Sequence, residues 1–348
     1  MPTPRDVIHR EGSARLLRFR PEAQQAHPAR APGPAPAPGP AAAPAPAPAG
    51  APAGAPAAAP APVLLIPSLI NRWYILDLRA GSSLIEALVA AGLDVWAIDW
   101  GTPGDEDRYL TWDDLLDRLQ HLRRVVRRAT RAARVASLGY CMGGTLAGID
   151  AALHPDEVGG LINLAGPFDF AHAGQLATMV DARWFDAGAI AAAGNVQPEQ
   201  MQAGFIALRP TLQLSKWLGL ADRAHDPAAR AAFEALETWS SDNVAFPGAA
   251  YATYIRELYQ DNALIAGRHH VRGQRVDLGR IHCPVLTIAA ERDSICPPAA
   301  ARALGDAAGG KSELLMVPGG HVGAVIGARA QRALYPRVAR WLEQLPSA

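Results

Sequence analysis

From residue 63 onward, short apolar runs alternate with amphipathic stretches. Val63-Leu64-Leu65-Ile66, Asp94-Val95-Trp96-Ala97-Ile98-Asp99, Arg134-Val135-Ala136-Ser137-Leu138 and Gly160-Leu161-Ile162-Asn163-Leu164 are strand-length and apolar almost throughout. Strands without polar alternation are buried on both faces, which implies a parallel sheet covered by helices on each side. The stretches Ser82 to Ala91, Thr111 to about Ala132, and Thr145 to Leu153 supply those helices. From about Pro167 to Arg280 the alternation lapses into a helical region with Phe205, Leu214, Trp217 and Leu218, then resumes with Val285-Leu286-Thr287-Ile288 and Leu314-Leu315-Met316-Val317. The pattern predicts a mostly parallel, doubly wound α/β sheet, with a helical cap at about 167–280 inserted before the last two strands, above their carboxyl ends.

The N-terminal part reads differently. Residues 1–27 form an arm in which Ala14-Arg15-Leu16-Leu17-Arg18-Phe19-Arg20 alternates like an edge strand. Residues 28–62 are almost wholly alanine, proline and glycine, a composition that buries no core and favours extended conformations, so they read as a disordered tether. Glycine shows no three-residue period there, which excludes collagen. The catalytic domain is expected to occupy 63–348.

Composition narrows the function classes. The 33 basic and 33 acidic residues cancel, so no global field recruits nucleic acid or an anionic membrane. The first ten residues are too polar for a secretory signal, and no apolar run is long enough for a transmembrane segment. Three cysteines form no disulfide framework, and a reactive thiol suits a reducing compartment, so the cytoplasm is expected. Arg123, Arg124, Arg127, Arg128, Arg131 and Arg134 fall largely outside the Leu115, Leu119, Leu122, Val126 stripe and read as a solvated face near a helix C-terminus. His269 and His270 lie in a polar stretch and read as exposed. No histidine or cysteine pair has ligand spacing with a third donor nearby, so no metal is expected.

Gly139-Tyr140-Cys141-Met142-Gly143-Gly144 carries the chemistry. It is a nucleophile elbow with cysteine in place of serine, flanked by a strand and a helix, and it points to acyl transfer through a thioester. At a helix N-terminus Cys141 is favoured as thiolate, the attacking form. Cys283 and Cys296 have no such frame. A base and an orienting acid are needed, in the chain order nucleophile, acid, histidine. Asp293, after the strand that restarts the sheet, and His321, in Pro318-Gly319-Gly320-His321-Val322-Gly323 after the last strand, fit that order. Together they define an α/β-hydrolase fold with a Cys141, His321, Asp293 triad. The oxyanion hole is expected from the amide of Met142 and from Ile70 or Asn71 in the loop after the first core strand.

Cysteine changes the energetics. An acyl-cysteine matches the thioester it is loaded from, whereas an acyl-serine lies lower and impedes onward transfer. With that chemistry go His9-Arg10-Glu11-Gly12, Leu17-Arg18-Phe19-Arg20, Asn71-Arg72-Trp73-Tyr74-Ile75-Leu76-Asp77-Leu78, Asp94 to Gly101, Leu258-Tyr259-Gln260-Asp261-Asn262 and Val276-Asp277-Leu278. In this series the chain resembles the polyhydroxyalkanoate synthases, most closely the short catalytic subunits of the two-component (class III/IV-like) types. The resemblance implies polymerisation of (R)-3-hydroxyacyl-coenzyme A, such as the hydroxybutyryl thioester, into polyester with release of coenzyme A. It implies that Cys141 carries the chain, that His321 activates its thiol, and that Asp293 holds His321 or helps activate the incoming 3-hydroxyl. It implies no cofactor beyond the coenzyme A borne by the substrate, a homodimer, a separately encoded second subunit, and residence on polyester granules. Two features depart from the family: the length of the alanine/proline tether, and the residues before Asp169-Phe170 in Leu164 to Phe170, which border the cap.

Two other readings stand beside this one. A cysteine-dependent hydrolase of esters, lactones or the polymer itself needs only water in place of the hydroxyl acceptor, and the apolar cap with Trp217, Trp239 and Phe246 argues against water. A non-catalytic granule or scaffold protein has no need to retain Cys141, Asp293 and His321 together.

Overall fold

The computed structural model describes residues 2–20, 61–208 and 225–346. Residues 28–60 of the expected tether, and Leu214, Trp217 and Leu218 of the expected cap, lie outside the described residues.

Eight strands form the central sheet: β1 (Arg5–Glu11), β2 (Ala14–Phe19), β3 (Val63–Ile66), β4 (Val95–Asp99), β5 (Val135–Tyr140), β6 (Val158–Leu164), β7 (Val285–Ala290) and β8 (Ser312–Val317). Their spatial order is β1-β2-β4-β3-β5-β6-β7-β8. The β1/β2 and β2/β4 pairs are antiparallel and all others are parallel. Alternate residues serve opposite faces. Leu64 and Ile66 of β3 pack with α2 (Trp112–Thr130) and α3 (Met142–Leu153), while Val63 and Leu65 pack with α1 (Leu84–Ala90) and the helix Tyr335–Glu343. That division is why the runs are apolar at every position.

The arm is part of the sheet. Ala14–Phe19 is a strand, but β1 lies outside it and is the edge. The expected edge position is thus corrected by one strand: Gly12, at φ 56°, turns the chain back so that Arg5–Glu11 pairs on the outer side. That outer strand is largely exposed and mixes polar residues with Val7 and Ile8, so it gives little periodic signal.

Two further expectations are corrected. Arg123 is fully buried rather than solvated: Nε and Nη2 each donate to Asp150 at 3.0 Å, and Nη1 donates to Glu157 at 2.6 Å. Its long stem extends from the edge of the apolar stripe into a gap that α3 closes. His269 is also fully buried, with Nδ1 2.7 Å from Glu257 Oε2, whereas His270 is exposed.

Between β6 and β7 the chain forms helices Gln175–Met179, Ala187–Ala192, Pro198–Leu208, Pro227–Ser241 and Gly248–Thr253, then the π-helical segment Tyr254–Gln260. Asn262 and Gln260 fasten this region. Asn262 Oδ1 accepts the Phe170 amide at 2.8 Å and its Nδ2 donates to Asp169 at 2.9 Å. Gln260 Nε2 donates to the carbonyls of Val180 and Phe185 at 2.8 and 3.0 Å.

Candidate active site

The fully buried strand β5 delivers Cys141 to the sheet's carboxyl end, and α3 begins at the next residue. Cys141 sits at φ 56°, ψ −128°, a conformation that side-chain-bearing residues rarely adopt and that local bonds must hold. Its amide donates to Leu164 O at 2.9 Å and its carbonyl accepts from Gly144 N at 2.8 Å. Gly143 packs so close to β3 that a methyl group there would collide with the Ile66 carbonyl oxygen, and one on Gly139 would collide with the Gly143 carbonyl. The glycines of the elbow are therefore required by backbone contact at the bend.

The two other members arrive from loops. Asp293 follows β7 and is 6% exposed; its Oδ1 accepts the amides of Ile295 and Cys296 at 2.8 and 2.9 Å. Its Oδ2 lies 2.7 Å from His321 Nδ1. Both carboxylate oxygens are thus committed, the imidazole is oriented, and Nε2 is turned away from Asp293. That Nε2 is buried without a conventional hydrogen bond among the described residues. Tyr140 stacks on the ring, with centroids 5.4 Å apart. Burial alone would lower the His321 pKa, but the Coulombic influence of Cys141, the hydrogen bond to Asp293 and the Asp293 charge together raise it to about 10. The pocket favours the imidazolium form of His321. Cys283 and Cys296 are buried; burial pushes Cys283 up to about 11, and burial with the nearby Asp293 and Cys141 charges raises Cys296 well above an ordinary thiol.

Two hollows meet at Cys141. One, of about 240 Å³, is bordered by Tyr140, His321, Asn71, Gln202, Trp239 and Asn243. The other, of about 190 Å³, is bordered by Met142, Met179, Phe185, Met201, Phe246, Tyr254 and Tyr259. Ile70, Phe205 and Ile295 border both.

The loop expected to supply an oxyanion donor is locked to the cap. Ile70 O accepts from Val244 N at 3.1 Å, Trp239 Nε1 donates to Arg72 O at 2.9 Å, and Asp242 accepts from Arg72 and Tyr74, each at 2.8 Å. In a trans peptide C=O and N–H point opposite ways. Because the Ile70 carbonyl faces Val244, the Asn71 N–H faces away from it.

Cys141, Asp293 and His321 are brought together here. Tyr140, Trp239 and Asn243 join them without having been singled out as site residues. Tyr140 lies inside the elbow itself, next to the nucleophile, whereas Trp239 and Asn243 gain their position from a cap whose packing leaves no local signal. Metal donors do not surround Cys141 among the described residues; His9, Glu11 and His121 form such a group on the arm and α2.

Comparison with known proteins agrees with this architecture. Residues 61–328 match the model of the alpha/beta hydrolase fold. The chain is 35% identical to the poly(3-hydroxyalkanoate) polymerase subunit PhaC of Allochromatium vinosum, over 81% of each chain. It is 34% identical to that of Synechocystis, over 98% of this chain and 85% of the relative. A soluble variant of monoglyceride lipase from Saccharomyces cerevisiae superposes with a TM-score of 0.54 over 99% of this chain and 97% of that one, at 13% identity. A non-heme bromoperoxidase BpoC from Mycobacterium tuberculosis superposes with a TM-score of 0.52 over 81% and 92%, at 17% identity. These last two share the fold alone.

Proposed function

The chain belongs to the poly(3-hydroxyalkanoate) polymerase family on an α/β-hydrolase fold, and from that premise we propose that Cys141 carries the growing polyester as a thioester. His321, held by Asp293 and bordering the same hollow as Cys141, is the observation that carries this reading. The Cys141 thiolate attacks the carbonyl of an (R)-3-hydroxyacyl-coenzyme A, the C–S bond to coenzyme A breaks, and the leaving thiolate takes a proton from the His321 imidazolium. Neutral His321 then accepts the 3-hydroxyl proton of an incoming unit as its oxygen attacks the acyl-cysteine. Cys141 leaves as thiolate, and the lengthened chain, now a coenzyme A thioester, reloads onto it. Amides of Met142 and Asn71 hold the oxyanion in each transfer. Ile70 is the alternative donor, disfavoured because its own peptide is not the one whose carbonyl is drawn off by Val244.

Asp293 serves chiefly to hold His321, since neither carboxylate oxygen is free for a substrate hydroxyl. The hollow lined by Met142, Met179, Met201 and Phe246 suits acyl chains and disfavours water, which supports a hydroxyl acceptor over hydrolysis. No resident cofactor enters the cycle. No helix among the described residues is long and apolar enough to cross a membrane. The same reading places the enzyme in the cytoplasm on polyester granules, as a homodimer working with a separately encoded second subunit.

Purified chain incubated with (R)-3-hydroxybutyryl-coenzyme A, with and without a candidate second subunit, tests this reading. Coenzyme A release with insoluble polyester is expected, and Cys141→Ala abolishes both. Free 3-hydroxybutyrate as the sole product would move the protein to the hydrolases.

A further inference from the structure

The arm holds a cluster that polyester synthesis does not use. His9 and Glu11 lie two residues apart on β1, and a register shift between Val7 and His9 marks a bulge there. Bulges re-aim the side chains that follow them. His9 and Glu11 meet His121 of α2, whose Nδ1 is 2.9 Å from Glu11 Oε2; His9 Nε2 is 4.0 Å from the same oxygen. One donor atom from each of the three residues falls within 4.8 Å of the others.

The angles matter as much as the distances. Glu11 Oε2 is shielded from solvent yet accepts no hydrogen bond among the described residues, although an imidazole nitrogen lies within hydrogen-bond distance of it. The nitrogen and the oxygen therefore stand side by side rather than donor to acceptor. Lone pairs so arranged suit a shared cation. The other carboxylate oxygen, Oε1, lies 4.0 Å from Arg118 Nε.

We propose that His9, Glu11 and His121 bind a divalent transition-metal cation of the zinc class, and that the ion staples the N-terminal hairpin to α2. Two imidazoles and one carboxylate with room for water are a donor set for zinc and its neighbours, and the nitrogens disfavour magnesium and calcium. The ion is structural: it clamps the edge strand, whose Val7 and Ile8 are 43% and 39% exposed, and takes no part at Cys141.

The test uses full-length protein carrying Cys141→Ala, so that the active-site thiol does not compete, stripped with chelator and titrated with Zn²⁺ by calorimetry and Co²⁺ by visible absorption. One site per chain is expected, with d–d bands and no sulfur-to-cobalt charge transfer. Glu11→Gln and His121→Ala each weaken binding at least tenfold, and Zn²⁺ slows hydrogen exchange in residues 5–19. Absence of binding, binding indifferent to both substitutions, a thiolate charge-transfer band, or unchanged exchange in the hairpin with the site filled would each overturn the proposal.

Discussion

The Tyr140 ring lies over the His321 imidazole, with centroids 5.4 Å apart and planes inclined by 29°. The phenol is 2% exposed and its hydroxyl has no hydrogen-bond partner among the described residues. Stacking and hydroxyl can therefore be separated. Tyr140→Phe keeps the ring and removes an unsatisfied polar atom, so the melting temperature should hold or rise and kcat should stay within about twofold. Tyr140→Ala frees the imidazole, and kcat should fall by roughly 10- to 100-fold. Steady-state coenzyme A release and thermal melts check both; equal loss in the two variants would place the role in the hydroxyl.

Asp293→Asn tests the orientation of the base. The amide retains hydrogen bonding to His321 but removes the charge and favours the wrong tautomer, so kcat should fall on the order of 10³-fold or more while KM changes little. A kcat within tenfold of wild type would mean that His321 is held by other groups.

The raised His321 pKa gives a pH signature in the ring itself. With the imidazolium retained to about pH 10, its ring resonances should hold their protonated positions between pH 7.5 and 9.5. Removing the Asp293 charge in Asp293→Asn should bring that titration to lower pH. Cys283 and Cys296, buried with raised pKa values, should resist iodoacetamide at neutral pH. Linkage has the same origin. A histidine whose pKa rises on folding stabilises fully below its unfolded value of 6.5, and that stabilisation is lost as pH climbs through about 10. Wild type should therefore lose melting temperature relative to His321→Ala between pH 7 and 10. Parallel melting curves would sink the account of His321 as a ring held charged by the fold.

What the sequence disclosed follows from which forces act locally. Strands β3 to β7 were legible because both faces are buried, which writes an unbroken apolar run, and the elbow was legible because Gly139 and Gly143 answer to backbone contacts within a few residues of Cys141 or on the adjoining strand. The nearness of Asp293 and His321 to each other and to the Cys141 hollow was foreseeable because sheet order fixes which loops open at the carboxyl end of β5. The outer strand β1 was missed because it is half solvent and leans on a turn. Arg123 and His269 were misjudged because their partners, Asp150 and Glu257, lie 27 and 12 residues away and only the fold joins them. The cap's hold on the loop after β3, through Trp239, Asp242 and Val244, leaves no periodic trace at all.

Arg123 also supplies a stability test. Its guanidinium and the Asp150 carboxylate are 0% and 1% exposed, so each is costly to leave alone. Burial would raise the Asp150 pKa, but the Arg123 charge and the His154 contact outweigh it and hold the carboxyl below its usual range. Arg123→Ala should cost about 3–5 kcal/mol because Asp150 is left charged in the interior with only half-buried His154 beside it. The double variant Arg123→Met, Asp150→Leu removes both charges and should recover most of that loss. A depressed carboxyl stabilises the fold above its unfolded pKa and ceases to do so as pH falls through the folded one, so wild type should lose stability toward pH 3 more steeply than the double variant. Urea denaturation at pH 7 and pH 3 measures both terms. A single variant that loses under 1 kcal/mol would show that water reaches Asp150 and that the pair is not buried in solution.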